Sequence, residues 1–131
     1  VVPISPAYSL MSNDFGKLKH ILDLTNPGLI YVADGEKFSS ALKNSDLNGA
    51  EIVVSSNAPA SMNTTDFGEL LTVIPTSELE TNRKKVGPDT VAKILFTSGS
   101  TGPPKGVINN QRMLCSNQRC KLFFKLLKRF T

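Results

Sequence analysis

The 131 residues contain no apolar run approaching the roughly 20 needed to cross a bilayer as a helix. The first residues, Val1-Val2-Pro3-Ile4, carry neither a basic flank nor a long apolar stretch, so no secretory leader is expected. Cysteine is scarce. Cys115 and Cys120 are five apart, the wrong spacing for a CxxC site, and too few His or Cys residues surround them for zinc. Two reduced cysteines fit a cytoplasmic setting. The single histidine, His20, lies beside Ile21 and Leu22 in a helical pattern, where a packing or surface role outweighs a catalytic one. Acidic residues are missing from the last thirteen positions, which hold Arg119, Lys121, Lys125, Lys128 and Arg129. The net charge of +4 therefore belongs to the tail, and the rest of the chain is near neutral. The overall charge is then no argument for nucleic acid, and none is expected as a partner.

What remains, 40% apolar and 20% charged residues, is the composition of a globular domain with a modest core. Phe15, Leu18, Ile21 and Leu22 form one apolar face of a helix that Ser12 or Asn13 can cap. Pro27 ends it. Leu29 to Ala33 reads as a buried strand, Glu36 to Leu42 as a helix, and Ile52 to Val54 as a further strand. Val1 to Ile4 reads as the end of a strand, and Val73-Ile74 as a brief one. Asn57 to Thr65 reads as a surface loop, and Asp66 to Leu71 as one or two helical turns. Glu78 to Lys85, charged and poorly amphipathic, reads as a loop with at most one helical turn. Alternating strands and helices of this length give an α/β fold, a mostly parallel sheet with flanking helices.

One stretch organises the rest: Phe96-Thr97-Ser98-Gly99-Ser100-Thr101-Gly102-Pro103-Pro104-Lys105-Gly106, set between apolar runs at Val91 to Phe96 and Val107-Ile108. A phosphate needs converging hydrogen-bond donors and positive charge. Gly99, Gly102 and Gly106 permit positive-φ turns whose N–H groups can converge on an anion. The hydroxyls of Thr97, Ser98, Ser100 and Thr101 add donors, and Lys105 adds a charge. The Walker arrangement is excluded, because Lys105 is followed by Gly106 and an apolar strand rather than by Ser/Thr and a helix. The dinucleotide fingerprint GxGxxG is absent as well. A strand–loop–strand hairpin is expected, and a Ser/Gly linker is the bland alternative.

Leu95 to Val107 resembles the signature loop of the AMP-binding, adenylate-forming synthetases over about twelve positions. Val2 to Leu10 and Pro27 to Val32 resemble the family's entry into its first nucleotide-side subdomain. Ser5 to Ser9, Gly87 to Ile94, Val107 to Asn109 and Gln111 to Leu114 are most similar to bacterial feruloyl-CoA synthetases. The resemblance implies an acid–CoA ligase. A carboxylic acid, with ferulate as the aromatic example, would react with Mg-ATP to give an acyl-adenylate and pyrophosphate, and coenzyme A would then displace AMP. It implies that Thr97, Ser98, Gly99, Ser100, Thr101 and Gly102 line the phosphates and that Lys105 stabilises pyrophosphate charge. It assigns no general acid or base and no metal ligand.

The resemblance covers residues 1–118, read as part of an AMP-binding N-terminal domain carrying the phosphate loop 96–106. The family's aromatic-Gly-Thr-Glu motif, ribose-binding aspartate, hinge and catalytic lysine have no counterpart here, so the stretch alone is not expected to turn over. It reads as a fragment, either processed or excised. Residues 119–131 form a basic amphipathic pattern. They read as a truncated or frame-shifted end in preference to an interaction helix for anionic surfaces. Open sheet edges in such a fragment imply self-association.

Overall fold

The computed structural model describes residues 1–97 and 102–127, with side chains up to Arg119. Ser98, Gly99, Ser100 and Thr101 therefore lie outside the described residues, as do the side chains of the tail beyond Arg119. Two units are distinguishable. One comprises Ile4–Ile74 together with Gly99–Pro104; the other comprises Val1–Pro3, Pro75–Ser98 and Lys105–Thr131.

The first unit opens with α1 (Ala7–Leu10) and α2 (Gly16–Thr25). The apolar spacing of α2 buries Leu18, Ile21 and Leu22 on one face. Its start differs from expectation. Phe15 takes the N-cap position in a left-handed conformation at φ 55°, costly for a bulky residue. Ser12 Oγ accepts from the Phe15 N–H at 3.1 Å and Asp14 Oδ1 from the Gly16 N–H at 3.0 Å, so the cap is shared. Asn26, left-handed at φ 37°, ends the helix, its N–H reaching Leu22 O at 2.8 Å before Pro27.

A β–α–β run follows: β1 (Leu29–Asp34), α3 (Gly35–Lys43) and β2 (Glu51–Ser56). The short β3 (Thr65–Asp66) and α4 (Phe67–Leu71) complete the unit. The sheet order is β1-β2-β3, all parallel, from Leu29 opposite Glu51 to Asp34 opposite Ser56, then Val53 opposite Thr65. The core lies here. Phe15, Leu18, Leu22 and Ala41 form one cluster, and Leu42, Ile52 and Val54 another, with Ile30 and Leu47 packed against both. The α/β architecture with a parallel sheet and flanking helices is thus present.

The second unit holds α5 (Ser77–Lys84), β4 (Val91–Thr97), β5 (Lys105–Asn110) and α6 (Gln111–Leu127). None of its described residues is buried. The expected loop at Glu78 to Lys85 is a helix. Capping and charge order, rather than an apolar face, account for it. Thr76 accepts from the Leu79 N–H, Glu78 and Glu80 occupy the first turn, and Arg83 and Lys84 the last. Val73-Ile74 is no strand, having no ladder partner. Val1 to Ile4 is not assigned as strand either. Val1 does pair with β4: its N–H reaches Ala92 O and its carbonyl accepts from Ile94 N–H, both at 3.0 Å. Asn110 Oδ1 accepts from the Met113 N–H at 2.9 Å and caps α6, one of the two asparagines expected to do so.

Candidate phosphate-binding site

β4 and β5 pair antiparallel, the strand–loop–strand hairpin that an apolar run after Gly106 requires. The register runs from Val91 opposite Asn110 to Thr97 opposite Lys105, with an irregularity between Val91 and Lys93. Thr97 and Lys105 are therefore the last pair before the connecting segment 98–104. Directly opposed residues share a face, so the Thr97 hydroxyl and the Lys105 ammonium start from the same side of the hairpin. Thr97 Oγ1 donates to the Lys105 carbonyl over a long 3.4 Å. Lys105 is exposed, and among the described residues no carboxylate pairs with it. A lysine at the mouth of a hairpin, without a counter-charge, is available to an anionic ligand.

Gly106 opposes Phe96. A Cβ there would lie 3.0 Å from Ile94 Cγ2 and 3.3 Å from the Phe96 ring, so any other residue would press these two side chains aside by a few tenths of an ångström. The reason differs from the one read in the sequence. Neither Gly102 nor Gly106 has positive φ; Gly49 is the glycine that does among those described. At Gly102 none of the described residues lies within 4 Å of the place a Cβ would take. Gly99 falls outside the described residues.

The far end of the hairpin is fastened to α6. Gln111 N–H donates to Thr90 O at 3.0 Å and Arg112 N–H to Pro88 O at 2.8 Å. The Arg112 guanidinium meets the Asp89 carboxylate at 3.2 Å, both exposed.

In the first unit, Gly102 and Pro103 are exposed while Pro104 is fully buried. Its carbonyl lies 3.1 Å from Nε2 of His20 on α2. A carbonyl only accepts, so Nε2 carries the proton in this contact. No local sequence pattern signals the pairing, because the partners are 84 residues apart.

Of the seven residues expected to line phosphates, then, Thr97 and Lys105 come together as a cross-strand pair and Gly102 is exposed. Ser98, Gly99, Ser100 and Thr101 lie outside the described residues. Two carboxyls titrate below their usual range, and neither belongs to this segment. The Gly16 N–H and then the Ser12 hydroxyl lower Asp14. The Lys37 N–H and then the Asn57 side-chain amide lower Asp34. Among the described residues no group of three His, Cys, Asp or Glu side chains could hold a metal. No described helix is long and apolar enough to cross a membrane.

Apicidin F synthase of Gibberella fujikuroi is 52% identical over 46 residues, covering 33% of this chain and 1% of that protein. Nonribosomal peptide synthetase gloA of Glarea lozoyensis is 49% identical over 49 residues, 37% of this chain and 1% of that protein. Nonribosomal peptide synthetase apmB of Penicillium brevicompactum is 42% identical over 54 residues, 41% of this chain and 2% of that protein. The chain thus spans about one hundredth of the length of the curated relatives it matches. No solved structure matches. A family model described as AMP-binding enzyme matches residues 1–129. With a match over nearly its whole length, the chain belongs to the AMP-binding enzyme family.

Proposed function

We propose that this chain supplies the phosphate-holding segment of an enzyme that activates a carboxylic acid with ATP. Thr97, Ser98, Gly99, Ser100, Thr101 and Gly102 line the β- and γ-phosphates in this reading, and Lys105 faces the charge of the departing pyrophosphate. The observation that carries it is the Lys105 ammonium, exposed, without a carboxylate partner among the described residues, and paired across the hairpin with the Thr97 hydroxyl. Hydroxyl, amide and ammonium donors suit a phosphate oxyanion. Among the described residues no group of three His, Cys, Asp or Glu side chains could hold a divalent cation. No step is assigned to Mg²⁺ on these residues. What the segment does is electrostatic: it holds the outer phosphates and stabilises negative charge as pyrophosphate leaves. Residues 1–118 form the AMP-binding part in this reading, and residues 119–131 a separate basic end.

The finer assignment is an acid–CoA ligase acting on an aromatic acid such as ferulate. It rests on the residues Ser5 to Ser9, Gly87 to Ile94 and Gln111 to Leu114. A second reading, an adenylating segment of a peptide synthetase with an amino acid as the carboxylate, is favoured by the names of the matched relatives. Acid-dependent ATP–pyrophosphate exchange by the full-length protein separates them. Exchange with ferulate and not with amino acids supports the first reading, and the reverse supports the second.

The shared reading is tested on the 131-residue chain by pyrophosphate and ATP titration. Removing one charged hydrogen-bond donor, Lys105→Ala, should weaken pyrophosphate binding about ten- to hundredfold. Among the described residues nothing crowds a methyl at Gly102 and its φ is not in the left-handed range, so Gly102→Ala should fold normally. Loss of binding in that variant would report close approach of the ligand to the backbone. Binding indifferent to both substitutions would overturn the assignment.

A further inference from the structure

We infer that His20 is a positioning residue for the phosphate segment, anchoring its C-terminal root through the Pro104 carbonyl. The inference rests on the proposed phosphate-holding role of that segment.

Three observations carry it. Pro104 is among the most completely buried side chains of the chain, although both residues before it are exposed. The segment therefore re-enters the protein at one point. Proline has no N–H, so its carbonyl is the only backbone group through which that point can be hydrogen-bonded. A buried carbonyl left without a donor is costly, and the donor here is Nε2 of His20 at 3.1 Å. Among the described residues this is the one hydrogen bond made to residues 102–104.

α2 is a suitable base for such an anchor. Its neighbours Leu18, Ile21 and Leu22 are buried, and Ile21 is fully so, which fixes the helix in the core. His20 is half-buried, and its ring projects from a helix that the core already holds. The residue that follows Pro104 is Lys105. Fixing the Pro104 carbonyl fixes the peptide plane that leads into the Lys105 amide, the backbone root of the side chain assigned to pyrophosphate. Binding geometry is sensitive to displacements of this kind, because ordering the segment in the complex otherwise costs affinity. His20 is not a catalytic residue in this scheme. It touches neither phosphate nor acid, and it acts through Pro104.

The test uses the full 131-residue chain, with pyrophosphate as the probe in titration calorimetry, and four proteins: unaltered chain, His20→Ala, His20→Gln and Lys105→Ala. A glutamine amide can present a donor where Nε2 lies, whereas alanine presents none. The expected result is binding weakened about five- to tenfold in His20→Ala, the worth of one neutral hydrogen bond. His20→Gln should recover to within about twofold, since it restores that bond. Hydrogen exchange at the Lys105 and Gly106 amides should be faster in His20→Ala and restored in His20→Gln, a readout that survives if alanine lowers overall stability. If Lys105→Ala loses binding while His20→Ala keeps it, the anchor is wrong and the phosphate reading stands. If glutamine fails to rescue while exchange at distant α3 amides rises equally, the role is structural and the inference is overturned. If the unaltered chain does not bind, or Lys105→Ala binds as well as it does, the phosphate reading falls and the inference falls with it.

Discussion

Replacing Gly35 by alanine should destabilise the first unit, and the structure supplies the magnitude. Gly35 is the first residue of α3, at the exit of β1. A Cβ there would lie 2.7 Å from the Asn57 carbonyl oxygen, 2.7 Å from Pro59 Cδ and 3.2 Å from Val54 Cγ1. The first of these is backbone, and it cannot turn aside as a side chain would. Overpacking of this kind costs about 1–3 kcal/mol. The same Asn57 oxygen accepts from the Glu36 N–H at 2.8 Å. Asn57 is itself left-handed at φ 52°, and its side chain donates to Asp34 Oδ2 at 2.9 Å. Displacing it therefore strains a second contact, worth about 0.5–1.5 kcal/mol. Alanine's better helix propensity returns up to about 1 kcal/mol. The net loss is about 1–3 kcal/mol. Gly28 provides the internal control. Nothing lies within 4 Å of its Cβ position and its φ is not positive, so Gly28→Ala should be neutral or stabilise by up to about 1 kcal/mol. Urea titrations followed by far-ultraviolet circular dichroism compare the two. A Gly35→Ala midpoint equal to or above that of Gly28→Ala would refute the steric reasoning.

Ile21→Ala removes a side chain with no exposed surface and should cost about 2–5 kcal/mol, read as a shift in the same urea midpoint; a shift below that range would mean the site collapses to fill the cavity. Asp34 gives an acid limb. Its folded carboxyl titrates below the ordinary 3.8, chiefly because the Lys37 N–H bonds it and then because Asn57 does. Its contribution is full above that unfolded value, fades as pH falls below it, and is gone once pH passes the folded value. Asp34→Asn keeps an acceptor without the titration, so its melting temperature should fall less steeply than the parent's below about pH 4, the ordinary carboxylate range. The exposed pair Arg112 and Asp89 should matter little. Arg112→Ala is expected to change stability by less than about 1 kcal/mol, and a larger loss in thermal melts would contradict the solvent-screened reading. The exposed Leu95, Val107, Ile108 and Met113 of the second unit should make sedimentation concentration-dependent; a single species at all concentrations would oppose this.

Periodic apolar spacing carried most of the fold. Phe15, Leu18, Ile21 and Leu22 marked α2 because a core-facing helix leaves that imprint, and Leu29 to Ala33 marked β1 by composition and boundaries, although the strand expected to be buried leaves Leu29 and Tyr31 exposed and only half-buries Ile30 between them. α5 left no such imprint. It buries nothing, and its stability comes from the Thr76 cap and from end charges, which look like a polar connector when only hydrophobicity is counted. Val73 and Ile74 show the converse, since two β-branched residues in a row do not make a strand without a partner ladder. In the site, the hairpin followed from the apolar residues after Gly106. Gly106 itself was read for backbone freedom, whereas the structure gives it no positive φ and sets it close beside the Phe96 and Ile94 side chains. His20 was read as a packing or surface residue. Its contact with Pro104 joins two ends of the sequence, and no local window contains both.

That separation has a consequence for the order in which the chain acquires its structure. Residues 4 to 74 can complete α2, β1, α3 and β2 from contacts among themselves, while Pro104 emerges from the ribosome some thirty residues later, on the order of seconds at ordinary elongation rates. The proline therefore docks on a surface that already exists. Its arrival is a late closure with a large loop entropy and few contacts to offset it. In pulse-labelled hydrogen exchange, protection should reach Ile21 and Val53 before Lys105; simultaneous protection would mean that the helix waits for the proline. The last contact made in folding should then also be the first to open, and Pro104 is where this unit is expected to begin to come apart.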